Sequence, residues 1–381
     1  VKLGLALGYW AAGPPRGTAE KVAAAEDLGF DSMWTAEAYG SDAFTPLSWL
    51  GARTTRMRLG TSVVQMSART PTATAMAAMT LDHLSGGRTV LGIGASGPQV
   101  VEDWYGQPYP RPLARTREYV RILRDTIARE KVVSDGPAYP IPHPGGTGLG
   151  KPLRSTLHPY RTDLPILLAA EGPKNVALAA EIADGWQPLF YAPRHDAHYR
   201  ESLAAGFAAR GGEPPGFEVV CMVQVVVDDD VEAAADRIRP FLALYIGGMG
   251  AKGANFHYEV FARMGYPDTC ARIQELYLAG DKDAAAKAVP TSMVEQVALV
   301  GPEAKIREEL PVFRDSLVTT MVVDGSPEHL RTIRDLVGCA RRAPFRPRCR
   351  GARRAGPGRW GTCRAPGRRS RSDNCGCWAT P

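Results

Sequence analysis

The stretch LLAAEGPKNVALAAEIADGWQP, residues 167–188, decides the fold. It opens on an apolar run of strand length and passes through Glu-Gly-Pro-Lys-Asn. Ala, Leu and Ile then recur at helical spacing, and the stretch ends on Gly-Trp-Gln, the start of a second apolar run. Strand, turn, helix and strand in immediate succession make a βαβ unit, and strands joined by a crossover helix lie parallel. A strand buried on both faces shows no polar alternation, which is what the first run displays.

Outward from this unit the same rhythm repeats. Eight strands are read at Lys2–Leu7, Ser32–Thr35, Arg58–Gln65, Arg88–Ile93, Pro165–Ala169, Gly185–Leu189, Glu218–Val227 and Val318–Val323, with helices most evident at Thr18–Leu28, Thr72–Leu84 and Asn175–Ala183. Eight β and eight α elements point to a (β/α)8 TIM barrel. Two excursions break the rhythm: a Pro/Gly-rich stretch, Ser134–Arg161, and a Gly-rich, then helical one, Ile246–Leu299. They come after the fourth and seventh strands, so both are expected over the C-terminal mouth, where barrels carry their active sites. Connections of that length serve as lids or binding segments.

From Cys339 to Pro381 the composition changes. These 43 residues hold no Val, Leu, Ile or Met, but twelve Arg, no Lys and five of the seven Cys. Such a segment cannot build a core. Setting aside its twelve Arg and its one acid, Asp373, turns the formal charge of +6 into −5 for residues 1–338, so the barrel domain is mildly acidic. Arms that bind nucleic acid or membranes mix Lys with Arg and do not scatter Cys and Trp among them. The segment has instead the composition of GC-rich DNA translated in a shifted frame, and residues 339–381 are read as a disordered, non-native tail. The remaining Cys221 and Cys270 lie far apart, so neither a metal site nor a disulfide is expected. No apolar run approaches the roughly 18 residues of a membrane span, and the N-terminus lacks a signal-peptide pattern. The expected location is the cytoplasm, without membrane or specific nucleic-acid partners.

VLGIGASGPQVVEDWYG, residues 90–106, holds a formal GxGxxG at Gly92, Gly94 and Gly97, directly after the fourth strand. A dinucleotide fold needs a helix opening inside the motif and an acid at the end of the next strand. Here Pro98 follows the last Gly, and Glu118 falls in the helical RPLARTREYVRIL. What remains is a Gly-Ala-Ser-Gly turn whose backbone N–H groups can approach a ligand closely. EGPKN has the same character: Gly172 relieves the backbone, and Pro173 and Asn175 open a helix whose N-terminal amides favour an anion. Either turn alone can be a plain cap. Two at one barrel face favour a cradle for the phosphate or polar tail of a cofactor.

GLALGYW (4–10), the block 23–106 with GTSVVQ (60–65) inside it, and AAEGPKNVALAAEIADGW (169–186) together resemble the bacterial-luciferase-like superfamily. The nearer likeness is to its coenzyme F420-dependent oxidoreductases, which include methylenetetrahydromethanopterin reductase-like proteins, and it runs over residues 1–337. The resemblance implies a deazaflavin in the barrel mouth, its ring over the third strand and its phosphate end near the fourth and fifth. It implies a non-prolyl cis peptide and a bulge around Ser62 and Val63. It gives Glu37 for the polar edge of the ring and Ser62 and Val63 behind it, with Gln65 of the same stretch a further cofactor-binding candidate. Ala95, Ser96 and Gly97, with Glu171, Gly172, Pro173 and Asn175, would take the side chain and phosphate. Sugar-phosphate dehydrogenases of this family carry a His after the second-strand acid and a Glu after the Gly turn. Ala38 and Pro98 stand there instead, which disfavours that chemistry.

Glu37 and Tyr39, at the end of the second strand, are the candidates for proton delivery. YIGGMGAKGANFHYEVF, residues 245–261, is the best candidate lid: its glycines permit motion, Lys252 offers a charge, and Asn255 and His257 offer hydrogen bonds to a substrate. His83, near a helix C-terminus, reads as a cap partner. The leading reading is hydride transfer between the reduced deazaflavin and a C=N, C=C or C=O group of an unidentified small molecule. An FMN-dependent monooxygenase on the same fold, and a cofactor-binding protein without turnover, stand as alternatives. A homodimer is compatible with either.

Overall fold

Uniformly apolar strands need cover on both faces, and a ring of parallel strands inside a ring of helices supplies it. The chain divides into Val1–Phe345 and Arg346–Pro381. The computed structural model describes residues 1–338 apart from 251, 252 and 254, so the tail read at 339–381 lies outside the described residues. The strands are β1 (Lys2–Gly8), β2 (Ser32–Thr35), β3 (Arg58–Thr61), β4 (Val64–Gln65), β5 (Thr89–Gly94), β6 (Ile166–Ala169), β7 (Gly185–Gln187), β8 (Glu218–Met222), β9 (Gln224–Val227), β10 (Ala298–Gly301) and β11 (Thr320–Val323). They pair in the order β3-β2-β1-β11-β8-β7-β6-β5, and β3 meets β5 to close the ring. Every pairing is parallel. The result is the expected (β/α)8 barrel.

Two of the eight expected strands are interrupted, each for its own reason. Arg58–Gln65 breaks at a cis Ser62–Val63 peptide, where the resemblance placed one, and β4 continues the line by pairing with β5. Glu218–Val227 divides at Val223: its first half pairs with β7 and β11, while its second half leaves the barrel and pairs with β10.

The insertion between β9 and β10 is mostly helical and packs a second apolar core, which includes Leu242, Phe261, Ile273 and Met293 together with Phe190 and Ala192 from the loop after β7. The larger core lies between the barrel and its helices, with Leu5, Met33, Leu47, Ile166 and Trp186 buried in it. The N-terminal end of the barrel is closed by charges, Arg58 donating two 2.7 Å bonds to Glu218, with Asp31 3.6 Å from Arg58 and Lys2 3.5 Å from Glu218.

The Ser134–Arg161 excursion is corrected by the structure. The helix Pro112–Ile127 stands between it and β5, so it is an α-to-β connection and starts at the end of the barrel opposite the mouth. Its last residue, Arg161, donates to Asp82 at 3.1 Å and to the carbonyl of Thr89, the first residue of β5. His83 shares a 2.7 Å hydrogen bond with the carbonyl oxygen of His158, which ties this stretch to a helix end and keeps the ring out of the mouth. Among the described residues no helix is long and apolar enough to cross a membrane.

Candidate active site

At the C-terminal end the barrel floor is low. β5 presents Gly94, where an added Cβ would lie 2.8 Å from Val63 Cγ2 and 3.6 Å from Ala169 Cβ. The cis peptide brings Val63 up to β5, and its carbonyl accepts from the Glu37 N–H at 3.1 Å. Ser62 N–H donates to Thr35 O at 2.7 Å. Gln187, at the end of β7, reaches across to donate to Thr61 O at 3.3 Å, and its Oε1 is buried without a partner among the described residues. Gln65 has the same property: its Nε2 donates to Glu37 O at 3.0 Å while its Oε1 is buried and unpartnered. A buried acceptor left open costs free energy until something donates to it.

Glu37 is buried and fully engaged. Arg69 Nη1 donates to its two oxygens at 2.7 and 2.8 Å, and Gln65 N donates at 2.9 Å. A carboxylate so held fixes the backbone around the cis peptide and has little acceptor capacity left for a ligand. Tyr39, two residues on, is half exposed at the rim. Tyr105 fastens this loop by donating to Ala38 O at 2.9 Å.

The turn after β5 is held by Tyr109, which donates to Ser96 O at 2.9 Å, and Ser96 itself adopts φ 59°. Ala95 and Gly97 flank it, and the Gly97 Cα faces the Phe256 ring, 3.7 Å from where a Cβ would stand. The turn after β6 differs from expectation. Gly172 has φ −78° and ψ 156°, and an added Cβ would meet nothing within 4 Å, so the backbone needs no glycine there. Pro173 begins the helix Pro173–Ile182 and brings no N–H, while Asn175 N–H is spent on Gly172 O at 2.9 Å. Fewer amides face outward than at an ordinary helix start. Glu171 turns toward the end of β7, accepting from Leu189 N at 2.9 Å. Loss of water around its carboxyl, only partly offset by the Leu189 and Phe190 N–H groups, pushes it up to about 7.

In the insertion, Asn255 is not free to meet a substrate. Its side chain caps the helix Phe256–Arg263, accepting from His257 N and Tyr258 N at 2.9 and 3.1 Å, and donates to Tyr245 O and Ile246 O at 2.8 and 2.9 Å. His257 is buried, and its Nδ1 has no hydrogen-bond partner among the described residues. Lys252 lies outside the described residues. Among the described residues no group of three or more His, Cys, Asp and Glu could hold a metal ion.

The structure thus gathers Glu37, Ser62, Val63 and Gln65 on one side of the mouth and adds Arg69 and Gln187, which sequence reasoning missed. Gln187 left a signal, a lone amide in the apolar Gly-Trp-Gln-Pro. Arg69 left none, because its partner is 32 positions away.

A closed parallel barrel with its N-terminal end sealed and a low, partly unsatisfied floor at its mouth defines a ligand-binding α/β barrel of the kind that houses enzymes. The chain belongs to the luciferase-like monooxygenase family, whose model matches residues 5–320. It is 56% identical over 343 residues, 88% of this chain and 99% of the relative, to a protein of Mycobacterium tuberculosis named as a proposed coenzyme F420-dependent oxidoreductase. It is 30% identical over 313 residues, 80% of this chain and 88% of the relative, to the 5,10-methylenetetrahydromethanopterin reductase of Archaeoglobus fulgidus. Among solved structures it resembles the coenzyme F420-dependent tetrahydromethanopterin reductase of Methanopyrus kandleri, with TM-score 0.72 and 21% identity over 88% of this chain and 98% of that one.

Proposed function

We propose that the protein is a coenzyme F420-dependent oxidoreductase that moves a hydride between carbon 5 of the deazaflavin and a C=N, C=C or C=O group of a small organic molecule. The 56% identity across 99% of a relative whose name proposes that activity carries this reading. The barrel floor supports it. A flat heterocycle fits where Gly94 and Ala169 keep the floor low beside Val63.

When bound, the reduced cofactor supplies a hydride from carbon and reacts poorly with oxygen, so the protein's task is placement and exclusion of water. In this reading Ser62 and Val63 back the ring and Gln65 meets its polar edge. Glu37 acts one step removed, holding Arg69 and the Gln65 backbone in place. Ala95–Gly97 and the turn Gly172–Asn175 hold the polar tail. Glu171, ionising near neutrality, is suited to give or take a proton at its carboxyl. Tyr39 at the rim is the second candidate.

The test is to titrate the full chain with F420 and with FMN under identical conditions, desalt, and read absorbance. Retention of F420 alone is expected. Retention of FMN alone, with NADH-driven oxygen uptake, would replace the reading with a flavin monooxygenase. Retention of neither would overturn it.

A further inference from the structure

Apart from its own strands, the insertion meets the barrel at two turns, and both are turns that the proposed reading gives to the cofactor's polar tail. The first is the turn after β5. Phe256, the first residue of the helix Phe256–Arg263, is half-buried, and its Cε1 lies 3.7 Å from where a Cβ of Gly97 would stand. That Cβ would also lie 3.4 Å from Gln99 Oε1, so a side chain longer than a methyl would push the Phe256 ring away.

The second turn is reached through the loop after β7. Glu171, at the start of the turn after β6, accepts from Leu189 N at 2.9 Å, and the Phe190 N–H also bonds its carboxyl. Phe190 is 4% exposed, and its ring stands 5.8, 5.4, 5.7 and 4.9 Å from those of Phe241, Tyr245, His257 and Phe261, all in the insertion. The carboxylate thus holds the peptide of Phe190 while the insertion's core holds its ring. Phe256 and Phe261 belong to one helix. Eight helical residues run about 12 Å, and neighbouring strands lie about 4.8 Å apart, so this helix has the length to lie across both turns. In keeping with that span, the charge of Arg263, its last residue, acts on the Glu171 carboxyl.

We infer that Glu171 and Phe256 are positioning residues that seat the insertion on the two turns at the cofactor's tail, so that cofactor binding and the seating of the insertion support each other. This role is separate from the proton transfer proposed for the Glu171 carboxyl. Lifting the insertion takes Phe256 off Gly97 and draws the loop after β7 away from Glu171. A ligand that binds the undisturbed turns opposes that movement by mass action. The coupling rests on the F420 reading, whereas the seat rests on contacts within the chain.

The test is hydrogen exchange of the full chain, read by mass spectrometry, first without F420 and then with F420 at saturation. Exchange reports local opening, so it separates the insertion from the barrel. Without F420, Glu171→Ala and Phe256→Ala are each expected to lower protection of the helices Arg239–Ala243 and Phe256–Arg263 about tenfold, with the barrel helix Thr18–Leu28 unchanged. Glu171→Gln, which keeps one acceptor oxygen, should lose less than Glu171→Ala. Glu171→Ala combined with Phe190→Leu should lose hardly more than either alone, because both cut one path, whereas the losses from Glu171→Ala and Phe256→Ala should add. Saturating F420 should raise protection of the two insertion helices in the unaltered chain and fail to do so in the chain carrying both Glu171→Ala and Phe256→Ala.

Insertion helices unmoved by either single change, or a helix Thr18–Leu28 loosened as much as they are, would overturn the inference. So would bound F420 that leaves their protection unaltered. A chain that retains no F420 but whose variants behave as expected in its absence would sink the oxidoreductase reading and leave the seat standing.

Discussion

The turns that follow β5 and β6 read alike in sequence, each a glycine-bearing connection from a buried strand, and the structure makes them opposites. In the first, Gly94 is required by what surrounds it, since a methyl there would collide with Val63, and Ser96 accepts a left-handed φ of 59°. In the second, Gly172 sits in ordinary extended backbone beneath open space. One turn is shaped by packing. The other faces open space, which on the proposed reading the polar tail of the cofactor enters.

The comparison can be broken most sharply at Gly94. Gly94→Ala should cost about 2 kcal/mol in urea denaturation, because the added methyl overpacks a closed floor. A loss below about 0.5 kcal/mol, the usual size of a harmless surface change, would erase the distinction. Next in size is Gly172→Val. It should leave the fold intact by circular dichroism yet weaken F420 binding by at least about 1.4 kcal/mol, a factor of ten. Unchanged affinity would reduce the turn to a helix cap.

A smaller effect separates the turns by pH. Gly94–Gly97 carries no titratable side chain, whereas the Glu171 carboxyl rises from 4.5 to about 7 on folding. Between those values the unfolded chain has released its proton and the folded one retains it, so stability falls as pH rises from 4.5 to about 7. The penalty is absent below this window and constant above it. Glu171→Gln should flatten that slope in urea midpoints taken across the window; an unaltered slope would assign it to other groups. The smallest effect is expected of Lys174→Ala, which should cost less F420 affinity than Gly172→Val. It should lose most of that effect at 1 M salt, where an exposed charge is screened beyond about 3 Å. A loss that persists in high salt would make the Lys174 charge, and not the turn's backbone, the phosphate anchor.

The barrel was legible because each βαβ unit is written locally, an apolar run, a turn and a helical repeat. The break at Val223 was not, since both halves of Glu218–Val227 are equally apolar and only their pairing partners, β11 and β10, tell them apart. Ser134–Arg161 was misplaced by measuring distance from a strand and passing over the helix between. Asn255 was legible and misread: a lone Asn before Phe-His-Tyr-Glu is a helix N-cap signature, and capping is what its side chain does. Of the candidate site, the Ser62–Val63 neighbourhood could be located by resemblance. The Arg69–Glu37 pair and the reach of Gln187 to Thr61 depend on barrel closure, which no local pattern encodes.

The insertion leaves the barrel through β9 and returns beside it through β10, in register from Gln224 opposite Ala298 to Val227 opposite Gly301. Departure and return are thus one joint, and a second attachment lies elsewhere: Phe190 and Ala192, from the loop after β7, are buried in the insertion's apolar core. The Phe190 ring stands against those of Phe241, Tyr245, His257 and Phe261. A segment moored at one hinge could swing; moored at two separate places, it is held like a plank nailed at both ends.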